Sequence, residues 1–380
     1  MRWLRHAPAG RPVPRAFFSA AAVRGSARSP WPGLQSELFA SGTAALGAAM
    51  KLALGMLPAG VPRRVVLPAY ACPNLVAAAL WAGGTPEYYD LSLDTLGPDP
   101  AVREALPGSP GSVVLHVDAF GTDTLPTGVP GADVVVHDLA QSFAPFQEGW
   151  QPRARFTVAS FGRAKPLSLT LGGALIASTP GAAPGSLGEL NLPIAAVSKE
   201  QLSFRAALYS LSLHPVVFGV LSHIPTLGIG QTHFVPLREA DRLPPQWQER
   251  LASAVAELRS SFPLLRTQTL AMLRLARESG AQVFTSVLRT EGRLPLWRVP
   301  VLCPDPESAA ALAREGAHLG ISRLYRRPLP EIMGMAAAEA AERWPSAALI
   351  AGRLITLPTH GRLGERRESQ LRRLLERQLR

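Results

Sequence analysis

Lysine is scarce in this chain, so the position of each lysine is informative. The sequence has 39 lysine and arginine residues among 380, and only Lys51, Lys165 and Lys199 are lysines. Arginine stays protonated and cannot form an imine, whereas a desolvated lysine amine can attack a carbonyl group. Lys165 lies between the apolar runs of "FTVASFGRAKPLSLTLGG", a setting that favours a nucleophilic amine. The alternative is an ordinary surface lysine, and the scarcity of lysine elsewhere argues against it.

An aspartate at the end of a predicted strand offers a second functional group. In "VVVHDLAQSF", Asp138 ends a buried run and Gln141 follows three residues later, so both side chains are expected in one crevice. A buried carboxylate can hold the protonated nitrogen of a pyridine ring and let that ring accept electrons. The alternative is an aspartate that only caps the following turn.

A run of small residues opens a predicted helix. The segment "SGTAAL" puts Gly42, Thr43 and Ala44 in the first turn. Free backbone amides and the positive end of the helix dipole can bind a phosphate there. Ser41 as a plain N-cap explains the same residues, so both interpretations stay open.

These residues fall at the ends of regularly spaced apolar runs. Such runs alternate with helical stretches from Ser41 onward, which predicts an α/β domain with a mostly parallel sheet and helices on its faces. Ligands of such sheets bind outside the carboxyl ends of the strands, where Asp138 and Lys165 are expected. The predicted strands are 64–67, 87–90, 113–117, 134–137, 156–160 and 173–177, and the predicted helices are 44–57 and 74–82.

The second half of the chain predicts a smaller C-terminal α+β domain. Its predicted elements are a helix over 246–276 with a kink or division at Pro263, strands at 282–288 and 296–302, a helix at 307–319 and a terminal helix from Glu365. We therefore expect a large domain over 37–245 and a small domain over 246–380. A basic tail over 1–36 has no acidic residue, and we expect it either to be poorly ordered or to lie over the fold as a strap.

Composition narrows the class of protein. Hydrophobic residues make up 47% of the chain, enough for a large core. The net charge of +11 comes from arginines spread along the chain, which disfavours nucleic-acid binding. Cys72 and Cys303 are the only cysteines, which predicts a reducing, cytoplasmic location. We expect no metal site.

One segment is unusually apolar. Residues 205–234 are rich in Leu, Pro, Gly and His, although no run in the chain has 18 consecutive apolar residues. On this ground we predict no membrane-spanning helix. A helix pair in the core or at a dimer interface is the favoured interpretation, ahead of an interfacial membrane helix or a groove for a lipid substrate.

In order and spacing, these motifs resemble those of the DegT/DnrJ/EryC1/StrS aminotransferases. The resemblance covers residues 39–177 well and the C-terminal third loosely, and it rests on "SGTAAL", "VVLPAYACPNLV", "VVLHVDAFG", "VVVHDLAQSF", "SFGRAKPLSLTLGG" and "LPTHGRL". It implies the pyridoxal 5'-phosphate (PLP)-dependent transferase fold type I and a homodimer. The implied reaction transfers an amino group from glutamate or glutamine to a keto sugar, usually attached to a nucleotide.

The resemblance also implies roles for the candidate residues. Lys165 is the implied Schiff-base lysine and proton carrier, Asp138 the partner of the pyridine nitrogen, and Gln141 a contact of the ring or its 3-hydroxyl side. The family's dehydratases carry histidine at the position of Lys165, so transamination is the implied reaction. The implied phosphate-binding residues are Gly42, Thr43, Ala44 and Ser160.

Four further positions are carried over from the resemblance. Cys72 falls where family members place an aromatic side chain against the cofactor ring, so Tyr70 or another group is expected to cover that face. His116 ends a strand and is implied as a catalytic residue near the substrate, with a hydrogen-bonded structural histidine as the alternative. Tyr325 and Arg326 are implied as substrate-binding residues. Tyr325 falls in the region of the family's "HYP" turn, and Arg326 and Arg327 are implied to meet an acidic group of the substrate, with a solvated basic loop as the alternative.

Two other functions stay open at this point. One keeps PLP but changes the reaction to that of a lyase or a carbon-carbon bond-forming enzyme acting on a non-sugar substrate. The other is a catalytically degenerate family member that serves as a binding scaffold. The presence of Asp138, Gln141, Ser160 and Lys165 argues against the scaffold.

Overall fold

A mixed sheet forms the centre of the larger part of the molecule. The computed structural model describes residues 8, 10–18, 29–99, 111–122, 134–178, 187, 190–224, 233–244, 247–289, 293–360 and 364–379. The strands of the sheet within these residues are β1 (Gln35–Phe39), β2 (Arg64–Pro68), β3 (Thr85–Tyr89), β4 (Ser112–Val117), β5 (Val134–Asp138), β6 (Phe156–Ser160) and β7 (Gly173–Ala177). Their order across the sheet is β1-β7-β6-β5-β4-β2-β3. Strands β2 to β6 are parallel, while β7 and β1 are antiparallel to their neighbours.

Helices cover both faces of this sheet. These helices are α1 (Gly42–Gly55), α2 (Asn74–Trp81), α3 (Lys199–Ser212) and α5 (Trp247–Ser260), and a short helix α4 (Pro215–Ser222) follows α3 on the outside. Side chains of α1 and α2 form a core with one face of the sheet, and side chains of α3 and α5 form a second core with the other face. Strands β2 and β4 to β7 are buried on both sides, so their sequences are mostly apolar, whereas the edge strands β1 and β3 are partly exposed and carry polar residues.

The remaining elements surround a two-stranded antiparallel sheet. These elements are α6 (Phe262–Glu278), α7 (Thr285–Arg289), β8 (Arg298–Leu302), α8 (Pro306–Glu315), α9 (Leu329–Ile332), α10 (Ala337–Arg343), α11 (Pro345–Arg353), β9 (Leu354–Pro358) and α12 (Glu365–Leu379). Strand β8 pairs with β9. A third core joins the two strands to α6, α8, α11 and α12 and includes Val299, Ile355 and Leu371.

The predicted α/β architecture is confirmed, and the six predicted strands of the large sheet match β2 to β7 within two residues at each end. Strand β1 lies across the expected boundary at 36 and was not predicted. The predicted helix over 246–276 is divided into α5 and α6 just before Pro263, because proline is tolerated in a first helical turn but not in an interior. The domain division at 245 remains a prediction, and α5, which follows it, packs on the large sheet.

The predicted strand at 282–288 is wrong. Gln282 makes a single bridge to Leu302, and the chain then turns into α7. The antiparallel partner of β8 is β9, more than fifty residues later, with Arg298 opposite Pro358 and Leu302 opposite Leu354. A short apolar run does not by itself distinguish a strand from a helix, and here the long-range pairing decided between them.

The described part of the N-terminal segment lies over the fold. Phe17 stacks on Trp247 with ring centroids 5.6 Å apart, and the Glu257 carboxylate accepts the backbone N–H of Ala16 at 2.7 Å. Val13 and Phe17 are buried in the core beneath α5. These contacts make residues 10–18 a strap across the second face of the sheet.

Replacing Gly173 by alanine is expected to destabilise the protein by about 1 to 3 kcal/mol, a typical cost of overpacking. A Cβ atom at Gly173 would lie 2.6 Å from the Cα atom of Gly42 and 2.8 Å from the Ser41 carbonyl oxygen, so the start of α1 would have to move. Gly55→Ala is the matched control, because a Cβ at Gly55 meets nothing within 4 Å. Chemical denaturation measures both. Equal stability of the two variants would contradict this packing.

Candidate active site

Two predicted functional side chains end adjacent strands on the same face of the sheet. Asp138 follows Val136 by two residues in β5, and Ser160 follows Val158 by two residues in β6. Val136 and Val158 belong to the core beneath α1, and side chains two residues apart in a strand point to the same face. Asp138 and Ser160 therefore both face the side of the sheet on which α1 packs.

The start of α1 meets Ser160. The Ser41 hydroxyl accepts the backbone N–H of Ala44 at 3.0 Å, and the first backbone bond within the helix runs from Ala45 N–H to the Ser41 carbonyl at 3.1 Å. The amides of Gly42 and Thr43 precede that bond and point out of the helix end. A Cβ atom on Gly42 would lie only 2.5 Å from the Ser160 hydroxyl oxygen. Backbone amides, a hydroxyl and the positive helix end thus form a cradle for an anion.

Asp138 is a buried carboxylate beside an amine. Its Oδ1 accepts the backbone N–H of Ala140 at 2.8 Å. Burial raises the pKa of Asp138, while the Ala140 N–H and the positive charge of Lys165 lower it. The two predicted groups therefore lie within electrostatic reach of each other, and Ser160 Oγ and Lys165 Cγ both lie within 4.0 Å of a Cβ atom built on Gly162.

The loop that carries Lys165 is held by its backbone. Ser168 Oγ accepts the N–H of Lys165 at 3.3 Å and donates to the Lys165 carbonyl at 3.0 Å. The Tyr209 hydroxyl accepts the N–H of Ala164 at 3.1 Å and donates to Ser168 Oγ at 3.4 Å. Ala164 has a φ of 55°, a left-handed conformation that costs energy for a residue other than glycine. These contacts fix the Lys165 backbone without using its side chain.

Ser168 and Tyr209 were not predicted. Ser168 stands three residues after Lys165, a spacing at which a serine side chain commonly bonds the backbone of a turn, so a local signal was present. Tyr209 lies on α3 and reaches Ala164 across 45 residues. No local pattern in the sequence predicts that contact.

Cys72, Tyr325 and Gln141 form a third side of the site. The Tyr325 hydroxyl accepts Gln141 Nε2 at 3.4 Å, and the Tyr325 and Cys72 side chains influence each other's pKa. Burial raises the pKa of Cys72, while the Lys165 charge lowers it and the Asp138 charge raises it. Cys72 therefore lies within electrostatic reach of both the amine and the carboxylate.

Tyr70 supports Tyr325 from behind. The Tyr70 hydroxyl accepts the backbone N–H of Tyr325 at 3.4 Å, and the two rings meet edge to face with centroids 5.4 Å apart. Burial raises the pKa of both phenols, so both stay protonated at neutral pH. Tyr325 is thus an aromatic group from the C-terminal part of the chain fixed beside the predicted site.

Two residues that the sequence predicted as functional, His116 and Arg326, do not lie at the candidate site of Asp138 and Lys165. His116 is buried and pairs with His137 across β4 and β5, while Val117 pairs with Asp138, so His116 faces the side of the sheet opposite to Asp138. Arg326 is exposed next to Tyr325. The catalytic role of His116 and the substrate role of Arg326 stay predictions, and neither residue contacts Asp138 or Lys165 in the described part of the chain.

The buried histidine pair makes folding pH-dependent. The rings of His116 and His137 lie 5.3 Å apart. Burial, with a contribution from the Arg153 charge, lowers the pKa of His137 to about 3, and burial lowers that of His116 well below its usual range. An unfolded histidine has a pKa of about 6.5. Below that pH it is protonated in the unfolded state while the buried histidines of the folded state remain neutral. The free energy of unfolding is therefore unaffected by protonation of these two histidines above about pH 6.5 and decreases as the pH falls from 6.5 toward 3.

His137→Leu is expected to make the free energy of unfolding less dependent on pH below about 6.5, because leucine cannot be protonated. The free energy of unfolding, measured by denaturant titration between about pH 7 and pH 4, should fall less steeply in the variant than in the unmodified protein. His214→Gln is the control, because His214 is exposed. If the free energy of unfolding of His137→Leu depended on pH as steeply as that of the unmodified protein, the pKa of His137 would not be lowered by folding.

The strand order and the strand-end site define the chain as an α/β protein of the PLP-dependent transferase fold type I. PseC of Helicobacter pylori, an aminotransferase of pseudoaminic acid biosynthesis, has a TM-score of 0.63 at 14% identity over 99% of both chains. A putative sugar aminotransferase of Streptococcus pneumoniae in its PLP form has a TM-score of 0.62 at 15% identity over 98% of both chains. A DegT DnrJ EryC1 StrS aminotransferase of Brucella abortus has a TM-score of 0.59 at 18% identity, covering 91% of this chain and 87% of its own.

These likenesses bear on the fold. No protein-family model and no curated protein matches the sequence. At 18% identity or less, similar structures establish a common architecture, and at that level the predicted resemblance to the DegT/DnrJ/EryC1/StrS aminotransferases is confirmed. Activity has to be argued from the site.

Proposed function

We propose that this chain is a PLP-dependent aminotransferase that holds its cofactor covalently through Lys165. One observation carries the proposal: the Lys165 amine, the buried Asp138 carboxylate and the cradle of Gly42 and Ser160 lie together at the carboxyl ends of β5 and β6. Solved structures of the same fold in PLP and PMP (pyridoxamine 5'-phosphate) forms support the cofactor.

The donor set fits PLP by its chemistry. PLP carries a phosphate, a basic ring nitrogen and a carbonyl carbon. The cradle of Gly42 and Ser160 suits the phosphate, and it is closed so tightly that a Cβ atom on Gly42 would collide with the serine. Asp138 suits the nitrogen, and Lys165 suits the carbonyl carbon. Each group of the cofactor thus has a partner of matching charge or reactivity.

The residues of the site divide the chemical work. When bound, PLP supplies a carbonyl that exchanges amines and a ring that accepts an electron pair. Asp138 would hold the protonated ring nitrogen through a charge-assisted hydrogen bond at a buried position. Lys165 Nζ, once released from the cofactor, would take the proton from the carbon that carries the donor's amino group, and in the second half-reaction would give a proton to the carbon of the acceptor that receives the amino group.

Other residues orient the reactants. The amides of Gly42 and Thr43 and the Ser160 hydroxyl hold the phosphate, so the ring has one direction in the site. Tyr325 is held in place by Tyr70 and Gln141. It would cover the face of the cofactor ring next to Cys72, because the cysteine side chain is too small to cover that face. An aromatic contact there limits water access and the tilt of the ring.

The proposed substrates are small molecules. Glutamate or glutamine donates the amino group, and a keto sugar, nucleotide-linked or related, accepts it. The names of the structural neighbours, which include a putative sugar aminotransferase and a pseudoaminic acid enzyme, support a sugar acceptor. A cytoplasmic homodimer is part of the same proposal, supported by the resemblance and by the small number of cysteines.

A half-reaction tests the function. Protein loaded with PLP is mixed with glutamate in the absence of any acceptor. We expect the visible absorbance of the bound cofactor to disappear with stoichiometric release of 2-oxoglutarate, and a keto-sugar nucleotide to restore it. Repeated turnover without an acceptor would instead indicate a lyase. If neither glutamate nor glutamine changed the spectrum, the chain would be a binding scaffold without aminotransferase activity.

A further inference from the structure

Exposed apolar side chains are concentrated on α3 and α4. Of the twelve large hydrophobic side chains that are exposed in the described residues, six fall between 204 and 224, so they form a patch rather than a scatter. Phe204, Leu208 and Leu211 are 70%, 58% and 58% exposed. From Ala206 to Leu237 the sequence contains no Asp, Glu, Lys or Arg.

Helix α3 has two apolar faces. Leu202, Ala206 and Tyr209 point into the core beneath the helix, whereas Phe204, Leu208 and Leu211 follow one another at helical spacing on the outside. Helix α4 is apolar around its circumference, and Gly219 is its only buried residue in the described chain. Exposed apolar helix faces of this kind are typical of contact surfaces, so the outer faces of these two helices are candidates for one.

We propose that the covering surface is an anionic lipid bilayer. No single helix in the described residues is long and apolar enough to cross a membrane, but Glu200–Ser212 and Pro215–Ser222 taken together have the length and composition of a membrane segment, with a bend of 88° between them. A pair bent at a right angle suits partial insertion along one membrane face better than a crossing. The surface defined by Phe204, Leu208 and Leu211 on α3 with Val216 and Val220 on α4 is called the α3–α4 surface below.

The charge around the α3–α4 surface is complementary to anionic lipid. Arg205 is exposed on α3, one residue from Phe204 and three from Leu208. Glu200 is the one acidic residue in α3. Basic residues near an anionic surface contribute on the order of 1 kcal/mol each to binding.

Docking would hold the candidate active site at the lipid surface. Tyr209 lies on the inner face of α3 and bonds both Ala164 and Ser168, the two residues that fix the Lys165 loop. The docking surface itself does not depend on the proposed reaction. It can be tested on protein without substrate.

Co-sedimentation of the full-length protein with lipid vesicles tests the proposal. We expect binding to phosphatidylcholine vesicles that contain phosphatidylglycerol, and weaker binding to phosphatidylcholine alone. The variant with Phe204, Leu208 and Leu211 all replaced by glutamine should lose at least about tenfold in partition coefficient. Arg205→Gln should lose about fivefold on the anionic vesicles and nothing on the neutral ones.

Exposed leucines elsewhere provide the matched control. Leu264 and Leu270 are exposed on α6, so Leu264→Gln with Leu270→Gln should bind vesicles like the unmodified protein. Thermal melting checks that all variants are folded. Sedimentation of the triple glutamine variant at the level of the unmodified protein, or no binding of the unmodified protein to anionic vesicles, would overturn the proposal. So would a change from dimer to monomer in the triple variant with vesicle binding unaltered, because a second copy of the chain would then cover the surface.

Discussion

Replacing Lys165 by alanine is expected to abolish amino transfer while leaving the fold intact. The loop is held through backbone groups of Ala164 and Lys165, which bond Tyr209 and Ser168, so truncating the side chain leaves these bonds in place. The lost amine is both the covalent anchor and the proton carrier of the proposed reaction. Turnover should therefore fall by at least about 10⁴-fold, with an unchanged melting temperature.

Two variants make this result specific. Lys165→Arg keeps the positive charge but cannot form an imine, so it should be as inactive as Lys165→Ala. Lys51→Ala removes an exposed lysine whose ammonium lies 5.2 Å from the Trp81 ring, and its turnover should equal that of the unmodified protein. Steady-state assays with glutamate and a keto acceptor measure all three. Substantial turnover in Lys165→Ala would remove the basis of the proposed function.

Replacing Asp138 by asparagine is expected to have the second largest effect. The amide oxygen can still accept the N–H of Ala140, so the strand end should keep its structure. The amide has no negative charge, however, and cannot keep a ring nitrogen protonated at a buried position. We expect a loss of about 10² to 10³-fold in kcat, the scale of removing one electrostatic group from a transition state.

Cofactor binding adds a second measurement to the Asp138 variant. PLP affinity, followed by absorbance titration, should weaken together with kcat, because the same charge pair serves both. Asp305→Asn is the matched control, since Asp305 caps α8 by accepting the N–H of Ser308 and lies outside the site. A turnover of Asp138→Asn equal to that of Asp305→Asn would exclude the electrostatic role of Asp138.

The large sheet was predictable because most of its strands are short apolar runs that are buried on both faces. Short apolar runs separated by Gly, Pro and Asp residues identify β2 to β7 with errors of at most two residues. The elements that failed depend on distant partners. Strand β1 pairs at the edge with β7, and β9 pairs with β8, so neither stands out from its local sequence.

The site was predictable where the strand order alone brings residues together. Asp138 and Ser160 end adjacent parallel strands, and Lys165 follows in the next loop. His116 also ends a strand, but the sequence cannot show which face it takes when neighbouring residues on both faces are apolar. The registers of β4 and β5 put it opposite to Asp138. Tyr209 reaches the site through long-range packing, which no spacing in the sequence encodes. Tyr325 was expected at the site from the family resemblance alone.

The scarcity of lysine allows a direct test of the central claim. The protein is incubated with PLP, reduced with borohydride, digested and analysed by peptide mass spectrometry. Reduction makes any lysine attachment of the cofactor permanent, and only Lys51, Lys165 and Lys199 are available in the chain. We predict the pyridoxyl group on the Lys165 peptide and its loss when the preparation is Lys165→Ala. A label on Lys51 or Lys199 instead, or no label on any lysine, would contradict the account.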